Sequence, residues 1–146
     1  MKIVVDIMGG DNAPFINVEG AIQYLNDPKS TGDVVLVGKE DLIRQELQSR
    51  SFDSPRLHIQ HASQVVTMDD SPTRSFKEKK DSSMRVGIEL VKRGEGDAFI
   101  SAGSTGATMT YSLLSLGRIP GVDRPAIGAF MPHEEGATLF LDVGAV

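Results

Sequence analysis

Two glycine-rich stretches of the sequence follow strand-like runs and hold hydroxyl and carboxylate side chains, "DIMGGDNAP" from Asp6 and "SAGSTGA" from Ser101. The second stretch opens a helical pattern, and a helix start presents unpaired N–H groups and about half a positive charge. This predicts a site for phosphate or another oxyanion, formed by Gly103, Ser104, Thr105 and Gly106 together with the hydroxyl of Ser101. The alternative is that the glycines only permit a tight turn. The spacing matches neither the dinucleotide fingerprint nor the Walker A motif.

The first stretch has two adjacent glycines, Gly9 and Gly10, which let a ligand approach the backbone closely. Asp6 and Asp11 flank them and are candidate catalytic residues, because a carboxylate there can orient a substrate or receive its proton. The alternative is that these carboxylates accept hydrogen bonds from loop amides. Asn12 is a candidate ligand contact or helix cap. Ligands of open α/β sheets bind at the carboxyl ends of the strands, so we expect the two glycine stretches to converge there.

A basic segment from Arg74 to Arg85 holds five basic and two acidic residues in a chain with a net charge of −5. Lys77 and Lys80 are three apart and are predicted to share a helix face with Arg74, where they can hold a doubly charged oxyanion. Ser82 and Ser83 are predicted to cap the next helix or to bind phosphate. The alternative is that the basic segment is only a solvated helix face.

Composition narrows the classes of function. The 146 residues suit one domain, and the acidic net charge argues against nucleic-acid binding. The chain has no cysteine and only three scattered histidines, so neither a metal nor another cofactor is expected. The sequence shows neither a signal peptide nor a long apolar run, which favours a cytoplasmic protein. It ends directly after an apolar strand pattern at Val146, so we expect a fragment of a longer protein.

Strand and helix patterns alternate along the first 116 residues, which predicts a mostly parallel sheet covered by helices on both faces. Strands are predicted at 2–7, 33–38, 56–62 and 97–103, with a further short strand or extension at 65–70. Helices are predicted at 14–26 with Asn12 or Ala13 as cap, at 39–50, after Ser71 and Pro72, at 82–94 and at 105–116. The runs 126–132 and 137–144 are too closely spaced for a crossover helix and predict an antiparallel hairpin.

Several motifs in this order, "VVDIMGGDNAP", "HASQVVTMDD", "KKDSSM", "DAFISAGSTGA", "LGRIPGVDRPAI" and "LDVGA", resemble the phosphate acyltransferases, the acyl-ACP:phosphate transacylase or PlsX family. The resemblance implies that residues 1–146 are the N-terminal part of a single α/β acyltransferase domain. The implied fold is a Rossmann-like three-layer αβα fold with a mostly parallel sheet, like isocitrate and isopropylmalate dehydrogenases, and incomplete at its C-terminus. The implied enzyme is a cytosolic homodimer that can associate peripherally with membrane.

The implied reaction transfers a fatty acyl group from acyl carrier protein to inorganic phosphate, giving an acyl phosphate for phospholipid synthesis. On this resemblance phosphate binds at Gly103–Gly106, and Lys80 stabilises its charge together with Lys77 or Arg74. Asp6 or Asp11 orients the phosphate or receives its proton. The sequence departs from the family at Ser104 and Val146, where asparagine is usual. Two alternatives are a non-catalytic truncated module that binds phosphate or acyl carrier protein, and a phosphotransacetylase-like CoA enzyme.

Overall fold

A computed structural model describes residues 1–143, which form two compact units that meet in sequence at Leu116 and Gly117. The first unit contains four strands and five helices in its described residues. They are β1 (Lys2–Asp6), α1 (Phe15–Asn26), β2 (Asp33–Gly38), α2 (Glu40–Ser49), β3 (Leu57–His61), α3 (Pro72–Glu78), α4 (Ser83–Lys92), β4 (Ala98–Ile100) and α5 (Thr105–Leu116). The second unit contains β5 (Gly128–His133) and β6 (Gly136–Leu141).

The four strands of the first unit form one parallel sheet in the order β3-β2-β1-β4. Strands β1 and β2 are runs of β-branched and apolar residues, as expected for strands that helices cover on both faces. Because β1 lies between β2 and β4, its carboxyl end adjoins the carboxyl end of β4. The predicted mostly parallel α/β sheet is therefore confirmed.

Apolar side chains bury both faces of this sheet. Helices α1 and α2 pack on one face, where Ile22 and Ile43 meet Leu36. Helix α4 covers the other face, with Leu90 packed against Val4. A further cluster joins α4 to α5 through Ile88 and the fully buried Tyr111, whose ring meets Phe76 of α3 edge to face at 5.1 Å.

The predicted strand at 65–70 is wrong. This segment is a loop anchored by a polar contact, since the Lys79 ammonium donates to the Val65 carbonyl at 2.8 Å and to the Asp70 carboxylate at 2.5 Å. Only an isolated bridge between Gln64 and Ser82 follows β3. The apolar start of this segment suggested an extension of β3 or a further short strand, but within the described residues the segment pairs with no strand.

The predicted cap of α1 is also wrong, because Pro14 occupies the cap position and no side chain bonds there. Asn12 contributes its backbone carbonyl instead, which accepts a hydrogen bond from the Ile16 N–H at 3.2 Å. None of the helices within residues 1–143 is both long enough and apolar enough to cross a membrane.

The second unit is an antiparallel hairpin, as predicted, with Phe130 opposite Leu139 and Ala129 opposite Phe140. Apolar side chains occupy both of its faces, and Phe130 and Phe140 are exposed. The end of the predicted second strand and the family departure at Val146 lie outside the described residues.

Candidate functional site

The two glycine stretches meet at the carboxyl rim of the sheet. We call Met8–Asn12 the first bend and Ser101–Gly106 the second bend. A Cβ atom added to Gly103 would lie only 3.3 Å from the Cα of Gly9, and one added to Gly10 would lie 3.2 Å from the Cβ of Ala102. The expected convergence of the two bends is therefore confirmed.

A chain of hydrogen bonds connects the bends through Asp6, at the end of β1. One carboxylate oxygen of Asp6 accepts from the Met8 N–H at 3.0 Å, and the other accepts from the Ser101 hydroxyl at 2.8 Å. The Ser101 oxygen in turn accepts from the Gly103 N–H at 3.1 Å. Asp6 is only 2% exposed. The Ser101 hydroxyl and the Gly103 N–H are therefore used inside the protein, and Asp6 is placed to hold the bends together.

Gly9 lies inside this contact and has no room for a side chain. A Cβ there would come within 2.7 Å of an Asp6 oxygen, 2.8 Å of the Ser101 hydroxyl oxygen and 2.9 Å of the Gly103 nitrogen. Gly10 has a φ of +97°, a conformation that favours glycine. The adjacent glycines therefore serve close packing of the backbone as well as the turn.

Asn17 supports the first bend and was missed by the sequence analysis. Its side-chain amide donates to the carbonyl of Ile7 at 3.0 Å and to that of Gly9 at 2.8 Å. The only sequence signal is an amide side chain between Ile16 and Val18 in a largely apolar stretch of helix. This signal does not distinguish a loop anchor from an exposed helix position.

The start of α5 supplies the free donors of the rim. The Ser104 hydroxyl oxygen caps the helix by accepting from the Ala107 N–H at 3.3 Å. The N–H groups of Ser104, Thr105 and Gly106 have no hydrogen-bond acceptor among residues 1–143. Such unpaired donors at a helix start are suited to binding an anion. Within the predicted anion site, the Ser101 hydroxyl and the Gly103 N–H are bonded inside the protein, whereas these three N–H groups and the exposed Thr105 hydroxyl have no partner among residues 1–143.

The basic segment is not one helix face. Helix α3 ends at Glu78, and Lys79 departs from helical geometry with φ −100° and ψ 65°. Lys80 therefore follows the helix rather than continuing it. The prediction that Lys80 shares a face with Arg74 and Lys77 is wrong, because Lys79 turns inward to anchor the 65–70 loop.

Several cations of this segment are already paired. Arg74 contacts Glu78 at 2.9 Å, and Arg85 contacts Glu89 at 3.4 Å. Lys77 and Lys80 are exposed and make no ion pair within the described chain. Among the described residues these two lysines are thus the exposed cations of the segment without an ion pair, while Arg74 is exposed but paired.

Ser82 and Ser83 are both buried, at 0% and 1% exposure. Ser82 caps α4 by accepting from the Arg85 N–H at 3.3 Å, so the predicted cap is confirmed. The burial argues against phosphate binding by either hydroxyl. Next to them, the Met84 side chain lies 3.8 Å from the Cβ position of Gly103, which places the start of α4 beside the second bend.

Asp11 and Asn12 lie exposed on the outer part of the first bend. Neither side chain makes a hydrogen bond to another described residue. Both are therefore open to a ligand, whereas Asp6 is enclosed. Among residues 1–143, no group of histidine and carboxylate side chains is arranged to hold a metal ion.

Two aspartates anchor the loop that precedes α4. The pKa of Asp70 lies below its ordinary value, chiefly because the Lys79 ammonium bonds to it. The pKa of Asp81 is lowered mainly by the hydroxyl of Ser63, which donates to it at 2.5 Å, and then by the backbone N–H of the same residue. These contacts fix the chain on either side of Lys80.

Acid is expected to weaken this anchoring. A lowered pKa means that the contacts stabilise the fold above the ordinary aspartate pKa of about 3.9, and that this contribution is lost as the pH falls through the folded pKa. Asp70→Asn should therefore be less stable than the unmodified chain near pH 7, and the difference should shrink toward about pH 3. Thermal denaturation across this range measures it. A difference independent of pH would contradict the role assigned to the carboxylate.

A family model and several known proteins match this chain over nearly its whole length. The model of the family described as fatty acid synthesis protein matches residues 1–146. Phosphate acyltransferase from Acetivibrio thermocellus is 49% identical over 144 residues, which cover 99% of this chain and 42% of that protein. Phosphate acyltransferase from Fusobacterium nucleatum is 47% identical over 146 residues, covering 99% of this chain and 44% of the relative. The chain thus spans less than half the length of these relatives.

A solved structure supports the fold. The crystal structure of a phosphotransacetylase from Streptococcus pyogenes matches with a TM-score of 0.69 at 23% identity, covering 99% of this chain and 47% of its own. At that identity the likeness concerns the fold alone, and it agrees with an α/β architecture. Because the family model matches the full chain and the relatives are close, the chain belongs to the fatty acid synthesis protein family, with relatives named phosphate acyltransferase.

Proposed function

We propose that the chain is the phosphate-binding part of an enzyme that transfers a fatty acyl group from acyl carrier protein to inorganic phosphate. The observation that supports this most directly is that the N–H groups of Ser104, Thr105 and Gly106 have no acceptor within residues 1–143 and lie where the two bends meet. The names of the relatives agree with the reaction class. The product is an acyl phosphate for phospholipid synthesis.

The chemistry requires phosphate to be held close to a thioester carbonyl while its oxygen attacks that carbon. The C–S bond then breaks, the acyl group passes to phosphate, and the thiol of acyl carrier protein leaves. Helix-start N–H groups hold the anion without a covalent intermediate, so the absence of cysteine is compatible with direct attack. In this proposal Asp11 orients phosphate or receives its proton, because its carboxylate is exposed whereas that of Asp6 is enclosed. Gly10 and Asn12 line the same bend.

Lys80 and Lys77 have two proposed uses. They stabilise the charge of the phosphate, or they attract acyl carrier protein, which is acidic, by electrostatic steering. Both side chains are exposed, and Lys80 lies two residues before the cap of α4, whose first turn adjoins the second bend. Arg74 is a weaker candidate, since it is paired with Glu78.

Charge-reversal substitutions distinguish these two proposed uses of the lysines. Lys80→Glu should weaken the affinity for phosphate if the lysine contacts the anion, and the affinity for acyl carrier protein if it steers the partner. Lys77→Glu is the companion variant, and Lys92→Glu, at the far end of α4, is the matched control. Separate titrations with inorganic phosphate and with acyl carrier protein measure the effects. Unchanged affinity for both ligands in both variants would exclude the basic segment from the site.

Acyl phosphate formation from acyl carrier protein thioester and phosphate is the direct test of the reaction, next to a phosphate titration. Turnover supports the proposal, whereas phosphate binding without turnover favours a non-catalytic module. A phosphotransacetylase-like CoA enzyme would instead turn over acyl-CoA in the same assay.

We also propose three further features that the family resemblance implies. They are a Rossmann-like fold of the isocitrate and isopropylmalate dehydrogenase type, a homodimer, and a cytoplasmic location with peripheral membrane association. The parallel sheet with helices on both faces is compatible with this fold type. Sedimentation analysis tests the dimer, and flotation with lipid vesicles tests the membrane association.

A further inference from the structure

The chain of hydrogen bonds that connects the two bends has a determined direction. We call the Met8 N–H, the Asp6 carboxylate, the Ser101 hydroxyl and the Gly103 N–H the Asp6–Ser101 chain. The carboxylate can only accept, so the Ser101 hydroxyl must donate to it at 2.8 Å. The Ser101 oxygen is then left to accept from the Gly103 N–H at 3.1 Å. Each member therefore has one orientation.

Side-chain packing cannot fix the spacing of the bends at this point. Gly9 and Gly103 face each other without side chains, and a Cβ on either would fall within 3.3 Å of the other bend. The Asp6–Ser101 chain joins residues that are 95 apart in sequence, and it reaches into both bends. Polar contacts thus take the place that interlocking side chains would have elsewhere in the core.

We infer that Ser101 and Asp6 are positioning residues for the anion site, and that they act without touching the anion. The Gly103 N–H, held by Ser101, fixes the peptide that leads into the free donors at Ser104, Thr105 and Gly106. Asp6 forms no ion pair within residues 1–143, so its buried carboxylate depends on these donors in the described structure. The inference rests on the proposed function only for the identity of the ligand.

Substitutions at Ser101 test this role. Ser101→Ala removes the donor to Asp6 and the acceptor of the Gly103 N–H together. In the ligand-free chain we expect shifted amide resonances at Ser104–Gly106 and exchange of the Gly103 amide hydrogen that is at least about tenfold faster. The affinity for inorganic phosphate should fall by about tenfold. Ser101→Thr keeps the hydroxyl and should restore both properties.

Tyr24→Phe is the matched control, because it also removes a hydrogen bond between a side-chain hydroxyl and a loop N–H. The Tyr24 oxygen accepts from the Gly32 N–H at 3.3 Å, ahead of the amino end of β2. This variant should lose stability without changing the resonances of the second bend or the affinity for phosphate.

A Ser101→Ala variant that loses only stability, like the control, would overturn the positioning role. Failure of Ser101→Thr to restore the resonances would overturn it as well. If the unmodified chain binds no phosphate, the proposed function fails by itself, because the measurements on the ligand-free chain still decide whether Ser101 positions the helix start.

Discussion

Gly9→Ala is expected to lower the free energy of unfolding by about 1–3 kcal/mol, the usual cost of overpacking, and to abolish measurable phosphate binding. The added methyl group would overlap an Asp6 oxygen, the Ser101 hydroxyl oxygen and the Gly103 nitrogen, all within 2.9 Å of its position. The nitrogen belongs to the backbone, and the two side-chain oxygens are hydrogen-bonded to each other, so neither oxygen can move without breaking that contact. The bends must therefore move apart and break the Asp6–Ser101 chain.

The control for this prediction is Gly20→Ala on α1, where an added methyl group meets nothing within 4 Å. Alanine is favoured over glycine in a helix by about 1 kcal/mol, so this variant should be equally or more stable and should bind phosphate normally. Denaturant unfolding and a phosphate titration measure both variants. Normal phosphate binding by Gly9→Ala would show that the contact between the bends does not shape the anion site.

Ser104→Asp is expected to raise stability slightly while lowering the affinity for phosphate by about 100-fold or more. Aspartate caps a helix as well as serine does, and its charge interacts favourably with the helix start, by about 0.3–1 kcal/mol. The same carboxylate would occupy the position beside the free N–H groups that the anion needs, and its negative charge would repel the anion. Stability and binding should therefore change in opposite directions, which general damage to the fold cannot produce.

Ser104→Asn is the neutral comparison at this position. Asparagine also caps helices well and adds an amide donor, so the affinity for phosphate should stay equal or rise. Thermal denaturation and phosphate titration of both variants complete the experiment. An anion site located elsewhere would be revealed by a Ser104→Asp variant that binds phosphate as tightly as the unmodified chain.

The two predictions probe different parts of one arrangement. The Gly9 variant tests whether the two bends must approach each other, and the Ser104 variants test whether the start of α5 binds the anion. The bends come from strands that are far apart in sequence but adjacent in the sheet.

The sequence alone determined the parallel sheet, because alternating strand and helix patterns of this length allow few other arrangements. Helix α5 was predicted with the observed bounds, 105–116, since its start is marked by glycine and hydroxyl residues. The convergence of the glycine bends also followed from the sequence, because ligand sites of open α/β sheets lie at the carboxyl ends of strands. These features depend on local pattern and general topology.

Only the tertiary structure decided which polar groups remain free. Asp6 and Ser101 carry polar groups that could each contact a ligand, yet the two side chains hydrogen-bond to each other across 95 residues of sequence, and Asp6 is buried. Lys79 and Lys80 are adjacent lysines, but Lys79 forms an ion pair with Asp70 whereas Lys80 is exposed. Hydrogen-bond partners that are distant in the chain leave no local sequence signal. The sequence therefore identifies the polar groups that could bind a ligand, and the tertiary structure determines which of them are not already paired within the protein.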